Sequence, residues 1–105
     1  VKFLVTVTPK DTQLPPQAIA QILARQREWM GQKLSDGTME TAYAFTTGGG
    51  ISIVNAESAE ALNAALLSAP AFPIATFNVT PLADISTALS SAVEALERAG
   101  RMVPG

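Results

Sequence analysis

Alternation opens the chain. Phe3, Val5 and Val7 fall on one side and Leu4, Thr6 and Thr8 on the other, in a run rich in β-branched residues that predicts a strand ended by Pro9. After Leu14-Pro15-Pro16 the period changes. Ile19, Ile22, Leu23, Met30 and Leu34 recur at three- and four-residue intervals, which predicts a helix from Pro16 to Asp36 that Asp36-Gly37 closes. Thr38 to Thr46 reads as a second strand, with Met39, Thr41, Tyr43 and Phe45 on one face and Glu40 on the other. Gly48-Gly49-Gly50 supplies a turn, and Ile51 to Asn55 completes a hairpin. A second helix starts at the cap Ser58, carries Leu62 and Leu66 on one stripe, and is stopped by Pro70-Ala71-Phe72-Pro73. A fourth strand is expected from Ala75 to Val79. Beyond Pro81, Asp84 caps a third helix to Ala99, with Ile85, Leu89, Ala92, Val93 and Leu96 on one side.

The order is βαββαβ with a C-terminal helix. This is the split βαβ pattern of an α+β, ferredoxin-like domain: one antiparallel sheet with two helices on one face. We read residues 1–105 as a single domain, with its core at 2–82 and the C-terminal helix at 84–99. The other sheet face has no helix to cover it, so a second sheet from a partner subunit is the expected cover, as in a dimeric α/β barrel. The third helix is free to exchange or pack across the same seam.

Composition sharpens this picture. Hydrophobic residues make up 48% of the 105 residues and charged residues only 15%, an excess of apolar surface that favours a homodimer or higher homo-oligomer. The net charge of −2 argues against a nucleic-acid partner, which would need clustered Lys and Arg; Arg25, Arg27 and Lys33 are interleaved with Glu28. Without cysteine there is no thiol chemistry and no zinc–thiolate site, and without histidine the commonest general base is missing. No Asp-rich metal loop is present, so no metal is expected. No apolar run reaches about 18 residues and no leader pattern precedes Val1, so the expectation is a soluble cytoplasmic protein with no membrane partner.

The first helix carries the most informative polar residue. On a wheel of 100° per residue Gln26 lies about 20° from Ile19, inside the apolar stripe. Such a glutamine either bonds the sheet backbone or a buried water, or it points into a pocket where helix and sheet separate. Lys33 lies on the same face near the helix end and is expected to snorkel toward the C-terminus. Trp29 at the stripe's edge and Tyr43 on the second strand each offer an aromatic wall with a polar tip, with core packing favoured for Trp29. Glu28, Arg25 and Arg27 read as solvated. The glycine run lacks the Lys-Ser/Thr of a phosphate loop, and no serine has a nucleophile-elbow context.

Several segments resemble the muconolactone isomerases. Ala24-Arg25-Gln26-Arg27-Glu28 through Asp36-Gly37-Thr38 is similar to their first helix and turn, and Ile51 to Ser58 with Glu60-Ala61-Leu62 to their third strand and second-helix start. Leu66-Leu67-Ser68-Ala69-Pro70-Ala71-Phe72-Pro73 resembles their leucine-rich run ending in Pro-x-Phe-Pro, and Asn78-Val79-Thr80-Pro81-Leu82 their last strand. The resemblance implies a dimeric α/β barrel, often in higher closed oligomers, without metal or organic cofactor. It also implies a reaction that moves a proton across a small unsaturated lactone and shifts its double bond. Gln26 stands where those isomerases carry a glutamate, and their pocket histidines have no counterpart.

Three readings follow. The first is a cofactor-free isomerase-like or cyclase-like enzyme for a small lactone, enone or polyketide-type substrate. In it Gln26 and Tyr43 orient the substrate, Glu40 moves the proton, and Trp29, Met30, Lys33 and Phe72 bind. The second is a cofactor-free monooxygenase of the same barrel class, resting on fold analogy. The third is a binding or assembly protein that kept the fold and lost the chemistry. An enzyme should show Gln26 and Tyr43 converging in an enclosed apolar pocket.

Overall fold

The computed structural model describes residues 1–102. The end of the single-domain reading, 103–105, lies outside the described residues. Four strands, β1 (Lys2–Pro9), β2 (Met39–Ala44), β3 (Gly50–Asn55) and β4 (Ala75–Leu82), form one sheet in the order β2-β3-β1-β4, with every neighbour antiparallel. The helices are α1 (Pro16–Ser35), α2 (Ala59–Leu67) and α3 (Ile85–Met102), and a 3₁₀ turn at Phe72–Ile74 leads into β4. The expected order of elements is therefore the observed one, and β4 and α3 each run three residues further than predicted.

Register decides which side chains become core. Val5 pairs with Ser52 on one side and with Val79 on the other, so Phe3, Val5 and Val54 share the helix-covered face. There they pack with Met39, Leu62 and Leu66 into a buried cluster. The local signals act as read: the Ser58 hydroxyl accepts from the Ala61 N–H at 3.1 Å, and proline fills the first turn of α1. Gly48 and Gly49 have φ of +107° and +78°, and a Cβ on Gly49 would collide with the Val7 carbonyl, so the turn after β2 requires glycine there.

One expectation about faces fails. The pairing of β2 with β3 shifts between Met39 and Thr41, a bulge that inserts Glu40 as an extra residue. Met39 therefore turns to the core with Val54, whereas Thr41 and Tyr43 pair with Ile53 and Ile51 on the uncovered face. Strict alternation had put Met39 and Tyr43 on one face. It had also put Glu40 opposite Tyr43, yet Glu40 bonds Lys2 at 2.8 Å and Asn55 at 3.2 Å, paired residues of the uncovered face.

The Lys2 ammonium, and after it the Asn55 amide, hold the Glu40 carboxyl below its ordinary value of 4.5. A depressed acid stabilises the fold above its unfolded value and loses that contribution as pH falls through the folded one. Glu40→Gln is expected to lower Tm slightly near neutral pH and to flatten its decline below pH 4.5, so that the variant and wild-type curves converge in acid. A pH series of thermal melts checks this.

α3 stands apart. Asp84 caps it by accepting from the Thr87 N–H at 2.9 Å, and every side chain from Ile85 to Arg101 is exposed. The molecule measures 69 × 29 × 25 Å, and an 18-residue helix of ~27 Å accounts for much of that long axis.

Candidate functional site

α1 does not lie flat on the sheet. No residue of α1 is fully buried, and beneath it the sheet presents Ala42, Gly50, Ser52 and Ala75, which are too small to fill the gap. The result is a cavity of about 620 Å³ between α1 and the sheet, within the range of small-molecule sites. Val5, Val7 and Phe77 line it from the strands, Trp29 and Met30 from the helix, and Ala71 and Ile74 from the segment before β4. Leu23 and Leu34, which the helical period assigned to the apolar stripe, sit on the cavity wall and remain 52% and 43% exposed. The helix stands off here, and among the described residues nothing covers them.

Gln26 lines this cavity, and its Oε1 accepts from the Ala71 N–H at 3.0 Å. The two readings of Gln26 are thus compatible: it ties α1 to the loop before β4, not to the sheet, and it also borders the cavity. Its Nε2 makes no hydrogen bond among the described residues. Gln26→Leu would leave the buried Ala71 N–H without its acceptor, which costs about 1–3 kcal/mol. The expected result is a lower urea midpoint with an unchanged m-value.

Ser52 is the polar residue that sequence reasoning missed. It is the buried polar side chain among the described residues, and it lines the cavity floor opposite Ala42 and Val5. In Ile51-Ser52-Ile53 the two isoleucines look like the core pair. The register turns them to the uncovered face and Ser52 inward, a choice visible only once Ser52 is paired with Val5. Arg27, read as solvated, is exposed but borders the same cavity, and it forms no ion pair among the described residues.

The remaining candidates divide. Trp29 and Met30 are half-buried and line the cavity while packing against the core. Lys33 lies with its Nζ 5.6 Å from the Trp29 ring centroid, over a small crevice beside the cavity, a cation–π contact in place of the expected cap. Phe72 stacks on Phe77 at 5.9 Å and so backs the wall from behind. Tyr43 borders the cavity at β2, but its register opposite Ile51 aims the ring at the uncovered face, where it is 69% exposed. Tyr43 and Gln26 therefore do not converge, and Glu40 lies outside the cavity lining. Among the described residues no three acidic side chains cluster to hold a metal, and no helix is long and apolar enough to cross a membrane.

An antiparallel four-stranded sheet with α1 and α2 on one face and a mainly apolar cavity under α1 defines a small α+β protein with a pocket of small-molecule size. The family model described as muconolactone delta-isomerase matches residues 1–88, and the chain belongs to that family. A crystal structure of muconolactone isomerase at 3.3 Å resolution superposes with a TM-score of 0.72 and 23% identity, over 80% of this chain and 90% of that one. No curated protein matches the chain.

Proposed function

We propose that the chain binds a small lactone, enone or polyketide-type compound under α1 and shifts its double bond by moving a proton, without a cofactor. The observation that carries this reading is the Gln26 amide, fixed by the Ala71 N–H inside a mainly apolar cavity. With Oε1 engaged, the Nε2–H group is the end left to donate to a carbonyl or to the enolate oxygen that develops from it. Ser52 offers a hydroxyl on the floor, and Trp29, Met30 and Phe77 give the ligand's ring apolar walls. Membership of the isomerase family supports the reaction type. A homo-oligomer in the cytoplasm, with the uncovered sheet face against a second copy, is the proposed working form.

A second reading, binding without chemistry, draws support from the same lining. It contains no carboxylate, and the chain has no histidine, so the proton in the first reading must travel by way of water entering the open cavity. One experiment separates the two. Thermal shifts with a panel of lactones and enones identify a ligand, and proton NMR in D₂O follows deuterium entry at the carbon beside its carbonyl. Exchange faster than in buffer supports the isomerase, and binding without exchange supports the second reading. No stabilisation by any compound contradicts both.

A further inference from the structure

The Ser52 hydroxyl is buried, yet nothing else in the described chain uses it. Ser52 is 6% exposed and lines the floor of the cavity under α1. Its Oγ makes no hydrogen bond among the described residues, where no polar side-chain atom is both sealed from solvent and unpartnered. The hydroxyl therefore opens into the cavity, and a water or a ligand oxygen has to meet it there.

Position and space decide which ligand fits. Ser52 pairs with Val5, and Ala75, into which the loop holding Gln26 runs, pairs with Pro9. The floor hydroxyl and that loop thus lie four residues apart along β1 and two strands apart across it, on the order of 15 Å between backbones. A compact one-ring lactone would leave one of the two polar groups unmet. A cavity of roughly 150 Å³ is enough for one benzene ring. The 620 Å³ under α1 is about four times that, so two fused rings fit even with half the space left to water. Trp29 from α1 and Phe77 from β4 give such a ligand aromatic surface, and Ala42 and Gly50 let it come close to the sheet.

The polar groups set its chemistry. Arg27 is the charged side chain of the lining, and it is exposed, at the mouth. An ionised group taken down to Ser52 would lose its water with no opposite charge beside it, so the oxygen that meets Ser52 is neutral. The Gln26 Nε2 only donates and calls for a carbonyl, whereas the Ser52 hydroxyl donates and accepts and takes either a carbonyl or a hydroxyl. We propose, on the footing that the space under α1 is the ligand site, that its ligand is a neutral, flat compound of two or more fused rings. Its carbonyl meets Gln26, and a second oxygen at the far end meets Ser52, which selects for that oxygen.

Four probes test this. 5-Hydroxy-1-tetralone carries a carbonyl and a hydroxyl at opposite ends of two fused rings. 1-Tetralone lacks the hydroxyl, 2-cyclohexenone lacks the second ring, and muconolactone is a one-ring acid that Arg27 could hold. Calorimetric titration gives the affinities, and the fluorescence of Trp29, the chain's single tryptophan, reports whether a compound sits in the cavity. The wild type is expected to bind 5-hydroxy-1-tetralone roughly tenfold more tightly than 1-tetralone, and both more tightly than 2-cyclohexenone. In Ser52→Ala the preference for the hydroxyl should vanish while 1-tetralone binds as before, which also shows that the variant folds. An undiminished preference in Ser52→Ala would overturn the role of Ser52. The fused-ring ligand would be overturned, with the cavity still the site, if 2-cyclohexenone bound as tightly as the tetralones. Muconolactone binding that changes Trp29 fluorescence where the tetralones do not would overturn it in the same way. If none of the four binds, the proposal falls together with the reading of the cavity.

Discussion

Gln26→Glu is expected to raise proton exchange on a bound lactone or enone by about a hundredfold or more, the ordinary contribution of a positioned general base. The substitution keeps the side chain's shape and exchanges the Nε2 donor for a carboxylate oxygen that can take a proton. Glutamate keeps an oxygen for the Ala71 N–H, now 3.0 Å from Oε1, so the tie between α1 and the loop before β4 survives. What it adds is a carboxylate inside a cavity whose lining has none. Burial among Val5, Val7 and Met30 pushes that carboxyl up, and the Ala71 N–H pulls it down. Exchange should therefore rise with pH as the new group loses its proton and then level off. Deuterium incorporation followed by NMR across a pH series measures this. A rate equal to that of the wild type at every pH would mean that a base at position 26 does not reach the ligand.

The largest effect on stability is expected from Leu62→Ala, at about 3 kcal/mol. Leu62 is 1% exposed and joins α2 to Phe3, Val5 and Val54, so truncation leaves a void that strand and helix cannot close. Leu23→Ala supplies the contrast. The same atoms are removed, but Leu23 is half exposed on the cavity wall, and the expected change is within about 0.5 kcal/mol. Urea denaturation of both variants measures the difference. Equal losses would mean that α1 packs on the sheet more closely than this structure has it.

The contrast also shows why some of the molecule was legible in the sequence and some was not. Element order followed from local physics: alternation in β1, the helical repeat of α1, Ser58 as a cap, and prolines at each break. Gln26 was visible because an amide inside an apolar stripe must find partners. The faces of β2 were not visible. A bulge at Glu40 inserts one residue, and since side chains alternate with a period of two, that insertion puts Met39 and Tyr43 on opposite faces. Ser52 stayed hidden for a related reason, because Ile51 and Ile53 look like core residues until β3 is paired with β1. The cavity itself depends on small residues, Ala42, Gly50 and Ala75, that come from three strands and meet only in the folded sheet.

A ligand titration watched by amide NMR tests the central claim, that the space under α1 is the functional site. The Gln26 side-chain amide, the Ala71 N–H and the Ser52 backbone are the reporters. Addition of a stabilising lactone or enone should shift these three together, with one dissociation constant, and leave Glu40 and Ile53 on the uncovered face unmoved. Shifts confined to Glu40, Ile53 and their neighbours on the uncovered face, with Gln26 and Ala71 silent, would place the site on the other side of the sheet and contradict the account.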